Sequence, residues 1–479
     1  MDWRASLPRA HACLHILMGK HILVTGATGY IASRLIPQLL DLGHTVHALA
    51  RKPHQLGPRA WSHKINIFQG DVMNAASLAP ALEGIHTAYY LIHNMSSGHG
   101  YTELEIQAAH NFAHAAEQAG VQHIIYLGGL ADAEQSIAPH MRSRIETGVT
   151  LRKGKVPVTE FRAGVIAGSG SISFEMIRFM TELLPIIPAP GWVSNKSQPI
   201  STQNVIDYLL AALNNWDGHG QVFEIGGPNI TTYKELMLKY AEVRGYKRSF
   251  VILPYVPIWF MAFGIGLTTP VPYPIAYALV GGLSSDSIVL HDTARKTFPE
   301  VLLVDFESAA SDALKRLHPH QIERVWDDAH GEVKTLKHEG FFIDHRRIRV
   351  NTSPEKIFEV IKTMGRKNDW PFANWLWKLR GYFGIREFPR MADSYDYYTV
   401  DVIEENHLLL LRSQLKAPGE GWMEWRVSQL DNITYLTQTA YFAPQGSGGF
   451  LYWYMLYPIH VFVFKGLIKA MAKLALSTL

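Results

Sequence analysis

The sequence predicts a doubly wound parallel α/β domain followed by a smaller α+β domain. Three observations carry this reading. An apolar strand runs into a glycine turn and a helix at 22–32. Strand-like and helical runs then alternate to about residue 160. Beyond about residue 338 the pattern changes to short strands at close intervals, closed by one long helix. With 479 residues, 47% of them hydrophobic, the chain has material for two or three cored domains.

Residues 1–18 carry no hydrophobic period and read as a disordered leader ahead of a first domain at 19–323. Arg4 and Arg9 flank no long apolar run, so a cleaved signal peptide is not expected. The single cysteine, Cys13, excludes an intrachain disulfide framework and fits a reducing, cytoplasmic setting.

The stretch Ile22-Leu-Val-Thr-Gly-Ala-Thr-Gly-Tyr-Ile-Ala32 places Gly26 and Gly29 where a Cβ would keep backbone from a pyrophosphate. The following helix offers that anion its amides and positive dipole end. Thr28, Tyr30 and Ile31 belong to the same turn. Ile31, Leu35, Leu39 and Leu42 recur at helical spacing and would dock the helix on the sheet. A second strand, 45–50, ends at Arg51 and Lys52, where a carboxylate would select NAD. No Asp or Glu stands between Asp41 and Asp71, which favours NADP(H) over NAD(H). A third strand at 64–68 leads to Asp71 and Val72, placed to meet the adenine. A fourth, 87–92, brings Leu91 and then His93-Asn94 toward a nicotinamide ribose, and a fifth, 122–127, is followed by Gly128-Gly129. Helices at 102–119 and 139–153 fill the gaps.

The succession of Thr25-Gly-Ala-Thr-Gly-Tyr-Ile31, Gly70-Asp71, Tyr126-Leu-Gly-Gly129, Phe161-Arg-Ala-Gly-Val165 and Phe223-Glu-Ile-Gly-Gly-Pro228 resembles the extended and atypical short-chain dehydrogenase/reductases of Rossmann fold. Within them the chain is most similar to NmrA-like NAD(P)-binding members, over about residues 19–318. That resemblance implies cofactor contacts from the residues above, with Arg162 and Gly164 near the nicotinamide end. It also implies an oxidoreductase, but with a departure. Relatives that reduce or oxidise alcohols use a Tyr-x-x-x-Lys pair, and that spacing occurs nowhere in these 479 residues. The helix after strand five carries His140-Met-Arg-Ser-Arg144 instead. His140 and Arg144 are the candidate catalytic pair, His140 as general acid and Arg144 as the fixed charge beside the ribose. The alternative makes His140 a satisfied polar residue and Arg144 part of a solvated face.

Residues 155–318 complete the sheet and roof the substrate cleft in the resembled superfamily. Within them 249–285 holds no charged residue, but Pro254, Pro257, Pro270, Pro272 and Pro274 cut the run below the ~20 residues a span needs. It reads as core or as an apolar lid facing substrate or membrane. A polar linker is expected at 324–338. From 339 to 479 a strand at 342–350, a helix starting with Ser353 as N-cap, strands near 394–404, 407–415, 421–430 and 433–442 and a closing helix at 449–476 resemble the helix-grip fold of START and polyketide-cyclase-like proteins, fused as in the DUF2867-type family. That fold implies an apolar cavity; Trp370, Phe372, Trp375, Trp377, Trp422, Trp425, Tyr441, Tyr452, Trp453 and Tyr454 either line it or pack as core, core being the commoner role for any one aromatic. Lys465, Lys469 and Lys473 share one face of the closing helix, as in a solvated or membrane-surface stripe.

A net charge of +3 excludes a nucleic-acid footprint, and no His, Cys or carboxylate spacing forms a metal site. The expected partner is an apolar small molecule, with peripheral contact to the inner membrane face a further expectation. Oligomeric state is not encoded in any motif. Two functions fit: an NADP(H)-dependent atypical reductase, or a non-catalytic NADP(H) sensor or assembly partner.

Overall fold

The computed structural model describes residues 19–57, 59–92, 101–132, 134, 137–269, 271, 273–319, 334–338, 340–364, 370–378, 394–395, 398–430 and 432–477. The leader with Cys13, the residues His93 and Asn94, and positions 324–333 of the expected linker lie outside the described residues.

The first half of the N-terminal domain runs β1 (His21–Thr25), α1 (Tyr30–Asp41), β2 (Thr45–Ala50), β3 (Asn66–Gln69), α2 (Ala79–Leu82), β4 (Thr87–Tyr90), α3 (Tyr101–Gln118), β5 (His123–Gly129), α4 (Pro139–Arg152) and β6 (Val158–Ala163). It continues with β7 (Ile166–Ala167), α5 (Ile172–Leu183), β8 (Ile186–Pro190), β9 (Lys196–Ser197), β10 (Ile200–Ser201), α6 (Thr202–Ala211), β11 (Val222–Ile225), β12 (Thr231–Thr232), α7 (Tyr233–Val243), β13 (Ser249–Leu253), α8 (Ile258–Thr268), α9 (Tyr273–Gly282), α10 (Thr293–Thr297) and α11 (Phe306–Lys315).

Seven strands form one parallel sheet in the order β11-β6-β5-β4-β1-β2-β3. Strand order reverses between β1 and β4, which opens a crevice at their carboxyl ends. Ile22 and Val24 on one side of β1 and Leu23 on the other are all fully buried, as a strand covered on both faces requires. Leu35, Ile36 and Leu39 of α1 pack with Val205 and Leu209 of α6 on one face, and Phe112 of α3 with Leu151 of α4 on the other.

Three expectations need correction. Leu42, predicted to dock α1, is its exposed C-cap residue, because the helix stops at Asp41. Strand β5 continues through Gly128 and Gly129, which pair with Arg162 and Ala163. The uncharged run at 249–285 is neither plain core nor span. Strand β13 pairs with β8, and α8 and α9 pack on each other as a hairpin with Ala262 and Ile265 buried, while Trp259, Phe260, Phe263 and Leu267 are exposed. No helix among the described residues is long and apolar enough to cross a membrane.

The C-terminal region comprises β14 (Lys334–His338), β15 (Phe341–Arg349), α12 (Pro354–Thr363), β16 (Ser394–Tyr395), β17 (Tyr398–Glu404), β18 (Leu408–Ser413), β19 (Gly419–Leu430), β20 (Ile433–Pro444) and α13 (Gly446–Ser477). Its sheet is antiparallel, ordered β14-β15-β20-β19-β18-β17-β16, and α13 crosses β20 and β15 beside α12. Residues 334–338, read as linker, instead pair with 341–345 as an edge strand. Ser353 is the N-cap of α12, although its hydroxyl makes no capping bond to the helix.

Of the two roles expected for the C-terminal aromatic residues, lining and core, most take the core one. Trp370 stacks on Trp377 at 4.3 Å and lies near Trp425, and all three are buried. Trp425 Nε1 donates to Gln438 Oε1 at 3.1 Å, and Gln438 Nε2 donates to the Phe464 carbonyl at 3.0 Å, tying β19 and β20 to α13. Trp453 stacks with both Phe342 and Phe442, whereas Trp375 and Tyr454 are exposed.

The two halves meet at α5. Its Phe179 packs edge-on against Phe342 and Phe450, and its buried Arg178 lies between Glu175 at 3.3 Å and Glu182 at 3.6 Å.

Candidate functional site

Strand β1 delivers the glycine turn to the crevice. Thr25 Oγ1 donates to the Tyr89 carbonyl at 3.0 Å and accepts the Leu91 amide at 3.2 Å, fixing the ends of β1 and β4 together. Gly26 sits at φ +63°, and a Cβ there would stand 2.8 Å from the Leu91 carbonyl oxygen. Only glycine satisfies both constraints. The Gly29 amide donates to the Gly26 carbonyl at 2.8 Å and closes the turn. Gly29 is the N-cap of α1 and no side chain caps that helix, so its positive end is left for an anion.

One cleft of about 220 Å³ joins this turn to the ends of β4, β5 and β6. Gly26, Gly29, Tyr30, Ile31 and Leu91 line one end; Gly128, Gly129, His140, Arg144 and Gly164 line the middle. Ile172 and Ser173 of α5, Tyr233 of α7 and Leu279, Gly282 and Leu283 form the far wall. Among the described lining residues there is no carboxylate and no lysine.

The glycines here are spacers. A Cβ on Gly129 would stand 2.9 Å from Arg144 Cδ, so the missing side chain lets Arg144 cross the end of β5. A Cβ on Gly164 would stand 2.7 Å from Ser287 Oγ, which donates to the Leu130 carbonyl at 2.9 Å. Gly282 of α9 accommodates the His140 ring, since a Cβ there would lie 2.8 Å from Cε1.

His140 is buried, and burial followed by the nearby Arg144 charge pushes its pKa down to about 4. The imidazole is therefore neutral at pH 7. A neutral ring there weighs for the alternative given above, in which His140 is a non-catalytic polar residue, over an imidazolium acid.

Other predicted residues lie elsewhere. Tyr30 turns its hydroxyl to Thr202 Oγ1 at 2.8 Å, with the Arg34 guanidinium 3.9 Å over its ring, so the residue lines the cleft without aiming its hydroxyl at it. Arg51 and Lys52 are exposed just past β2. Asp71 follows β3; its Oδ1 accepts the Met73 amide at 3.0 Å, and Val72 is buried beside it. Arg162 is a correction. It does not line the cleft, because its Nε donates to Glu160 Oε1 at 2.7 Å, on a carboxylate that also meets Arg152.

Sequence reasoning missed Arg59. It is buried and donates from Nη2 to the Thr28 carbonyl at 3.3 Å, beside the glycine turn. It lies in the same acid-free stretch as Arg51, but nothing in its spacing marks it. Tyr233 and Ser287 were missed because they arrive from distant segments with no local signal.

A parallel sheet whose crossover point holds a glycine turn and a cleft defines the Rossmann NAD(P)-binding class. Residues 18–254 match the NmrA-like family, and 338–467 match a protein family of unknown function, DUF2867. Residues 18–254 thus form an NmrA-like domain on a Rossmann NAD(P)-binding fold, with a DUF2867 domain behind it. Among solved structures, the Citrobacter sp. triphenylmethane reductase complexed with NADP(H) is 23% identical, with 61% of this chain and 99% of that one covered and a TM-score of 0.50. The Escherichia coli NADPH-dependent quinone oxidoreductase complexed with NADPH is 20% identical, with the same coverage and TM-score. These likenesses establish the fold. The 3-beta-hydroxysteroid dehydrogenase of Mycolicibacterium neoaurum is 31% identical over 115 residues, 22% of this chain and 31% of that protein. The photosystem II assembly factor Ycf39 of Cyanophora paradoxa is 24% identical over 216 residues, 43% of this chain and 63% of that protein. The chain thus matches about a third of the first of these relatives.

Proposed function

We propose that the chain is an NADP(H)-dependent reductase of an apolar, electron-poor small molecule, working without a Tyr-x-x-x-Lys relay. The observation that carries this reading is the single cleft in which the Gly26–Gly29 turn faces an apolar wall from α5, α7 and α9. The Gly26 and Gly29 backbone and the uncapped α1 terminus would hold the pyrophosphate, while Arg51 and Lys52 would meet the 2′-phosphate. Bound NADPH supplies a hydride, and with one proton from water this completes the two-electron reduction of the acceptor.

The chain's own residues orient and shield. Arg144, laid across Gly129, places a fixed positive charge at the middle of the cleft and attracts charge that develops on the acceptor. Neutral His140 packs under α9 and helps seal the wall. Leu130, Leu279 and Leu283 exclude water and accept an apolar ring. The names of the related triphenylmethane and quinone reductases are in keeping with such an acceptor.

The test is fluorescence titration with NADPH and NADH, followed by turnover assays with quinones, enones and imines. NADPH binding with turnover supports the reductase. Binding without turnover favours the second reading, a nucleotide sensor or assembly partner, which the missing relay and the name of the Cyanophora relative keep in view. Failure to bind either nucleotide removes both.

A further inference from the structure

We infer that the α8–α9 hairpin and the exposed stripe of α13 form a surface that docks on an anionic lipid bilayer, so that an apolar substrate reaches the cleft from the lipid. The second clause rests on the reductase reading above; the docking itself does not.

Exposed large apolar side chains are scattered singly on most proteins, but here they are concentrated. On α8, Trp259, Phe260, Phe263 and Leu267 are each more than half exposed and fall on one side of the helix. The helix rises ~16 Å, about half of the ~30 Å hydrocarbon core, so it fits one leaflet and does not cross. Aromatic side chains at that depth suit the interface between headgroups and chains.

Helix α13 provides a second, independent stripe. Leu451, Met455 and Phe462 are exposed, and at 100° per residue they align with Lys465, Lys469 and Lys473, which are also exposed. The helix is therefore apolar along its first half and cationic along its second. No Asp or Glu occurs in 249–285 or 446–477, so nothing acidic on these segments opposes an anionic surface. Both helices pack on α5, α8 on Met176 and Met180 and the start of α13 on Phe179.

The route to the cleft is short. Helix α9 exposes Tyr273 and Tyr277 outward, while its Leu279 and Gly282 line the cleft. One helix separates the proposed bilayer face from the reacting space. A second copy of the chain is a less fitting occupant, since a self-complementary contact would bring the three lysines of each copy close to an equally acid-free surface.

The experiment is co-sedimentation of the full chain with vesicles of phosphatidylcholine alone or mixed with phosphatidylglycerol. Wild type is expected to bind the mixed vesicles more tightly. The F260E/F263E variant should lose about tenfold or more in affinity for both, and K465E/K469E/K473E should lose affinity only for the anionic ones. No sedimentation of wild type, or unchanged binding by either variant, overturns the inference. So does a concentration-dependent dimer in sedimentation velocity that F260E/F263E breaks while vesicle binding is absent. Circular dichroism of the same samples checks that the variants are folded. NADPH titration separates the two readings, since a wild type that binds vesicles but not NADPH keeps the docking and loses the reductase.

Discussion

The Glu182 carboxylate of α5 accepts the backbone N–H of Gly446, 3.2 Å away, at the first residue of α13. The same carboxylate takes the Tyr240 hydroxyl at 2.5 Å and Arg244 Nε at 3.0 Å, and Arg178 lies beside it. A buried charge cluster of the N-terminal domain thus ends on the backbone of the C-terminal one.

Arg178→Met should therefore be severely destabilising. It leaves Glu175 and Glu182 buried without the cation between them, at a cost of about 3–5 kcal/mol. Urea unfolding followed by fluorescence checks this; a change below ~1 kcal/mol would show that the cluster relaxes into solvent.

Gly26→Ala forces an L residue to φ +63° and sets a Cβ against the Leu91 carbonyl. We expect a stability loss of roughly 1–2 kcal/mol and about tenfold or weaker NADPH affinity. Unaltered NADPH affinity in the variant would detach the turn from cofactor binding.

Arg51→Ala and Arg59→Ala should differ in pattern. Removing exposed Arg51 is expected to weaken NADPH by about tenfold and NADH by less than about twofold. Removing buried Arg59, which holds the Thr28 carbonyl, should weaken both nucleotides alike. Titrating both variants with both cofactors separates a 2′-phosphate contact from support of the turn.

His140 is expected to leave its mark on acid stability. Its pKa is about 4 in the fold against an ordinary 6.5, so between those values the unfolded chain takes up a proton that the native one does not. Stability is fully present above pH 6.5, falls as pH drops toward 4, and His140→Gln should flatten part of that fall, on the order of 1–3 kcal/mol. His123, pushed down to about 3 by burial and its histidine neighbours, adds a similar slope that the variant keeps. Chemical denaturation across this range is the measurement. If turnover occurs, its rate should show no ionisation of His140 near 6.5.

Local chemistry made much of the fold legible. Thr45–Ala50 is both the expected and the observed strand, and the helix expected at 139–153 is Pro139–Arg152. The glycine turn announced its position because a tight βα turn and an anion make the same demand on residue type. What escaped was set by distant partners. Arg162 pairs with Glu160, two residues back and on the same face of β6, a contact that strand alternation alone permits but does not single out. The Trp370–Trp377 stack decides for core between two roles the sequence left open, because a row of aromatics reads the same whether it faces a ligand or itself. Ser287 reaches Leu130 across 157 positions, beyond any window of periodicity.

Helix α5 presents Ile172 and Ser173 to the cleft and Phe179 to the DUF2867 domain. Its sequence must therefore satisfy two clients at once. A chimera that exchanged only the C-terminal part would inherit an α5 cut to fit the discarded half, and the mismatch at Phe179 would fall on the helix that also walls the cleft. Any recombination of these modules has to move α5 together with its partner.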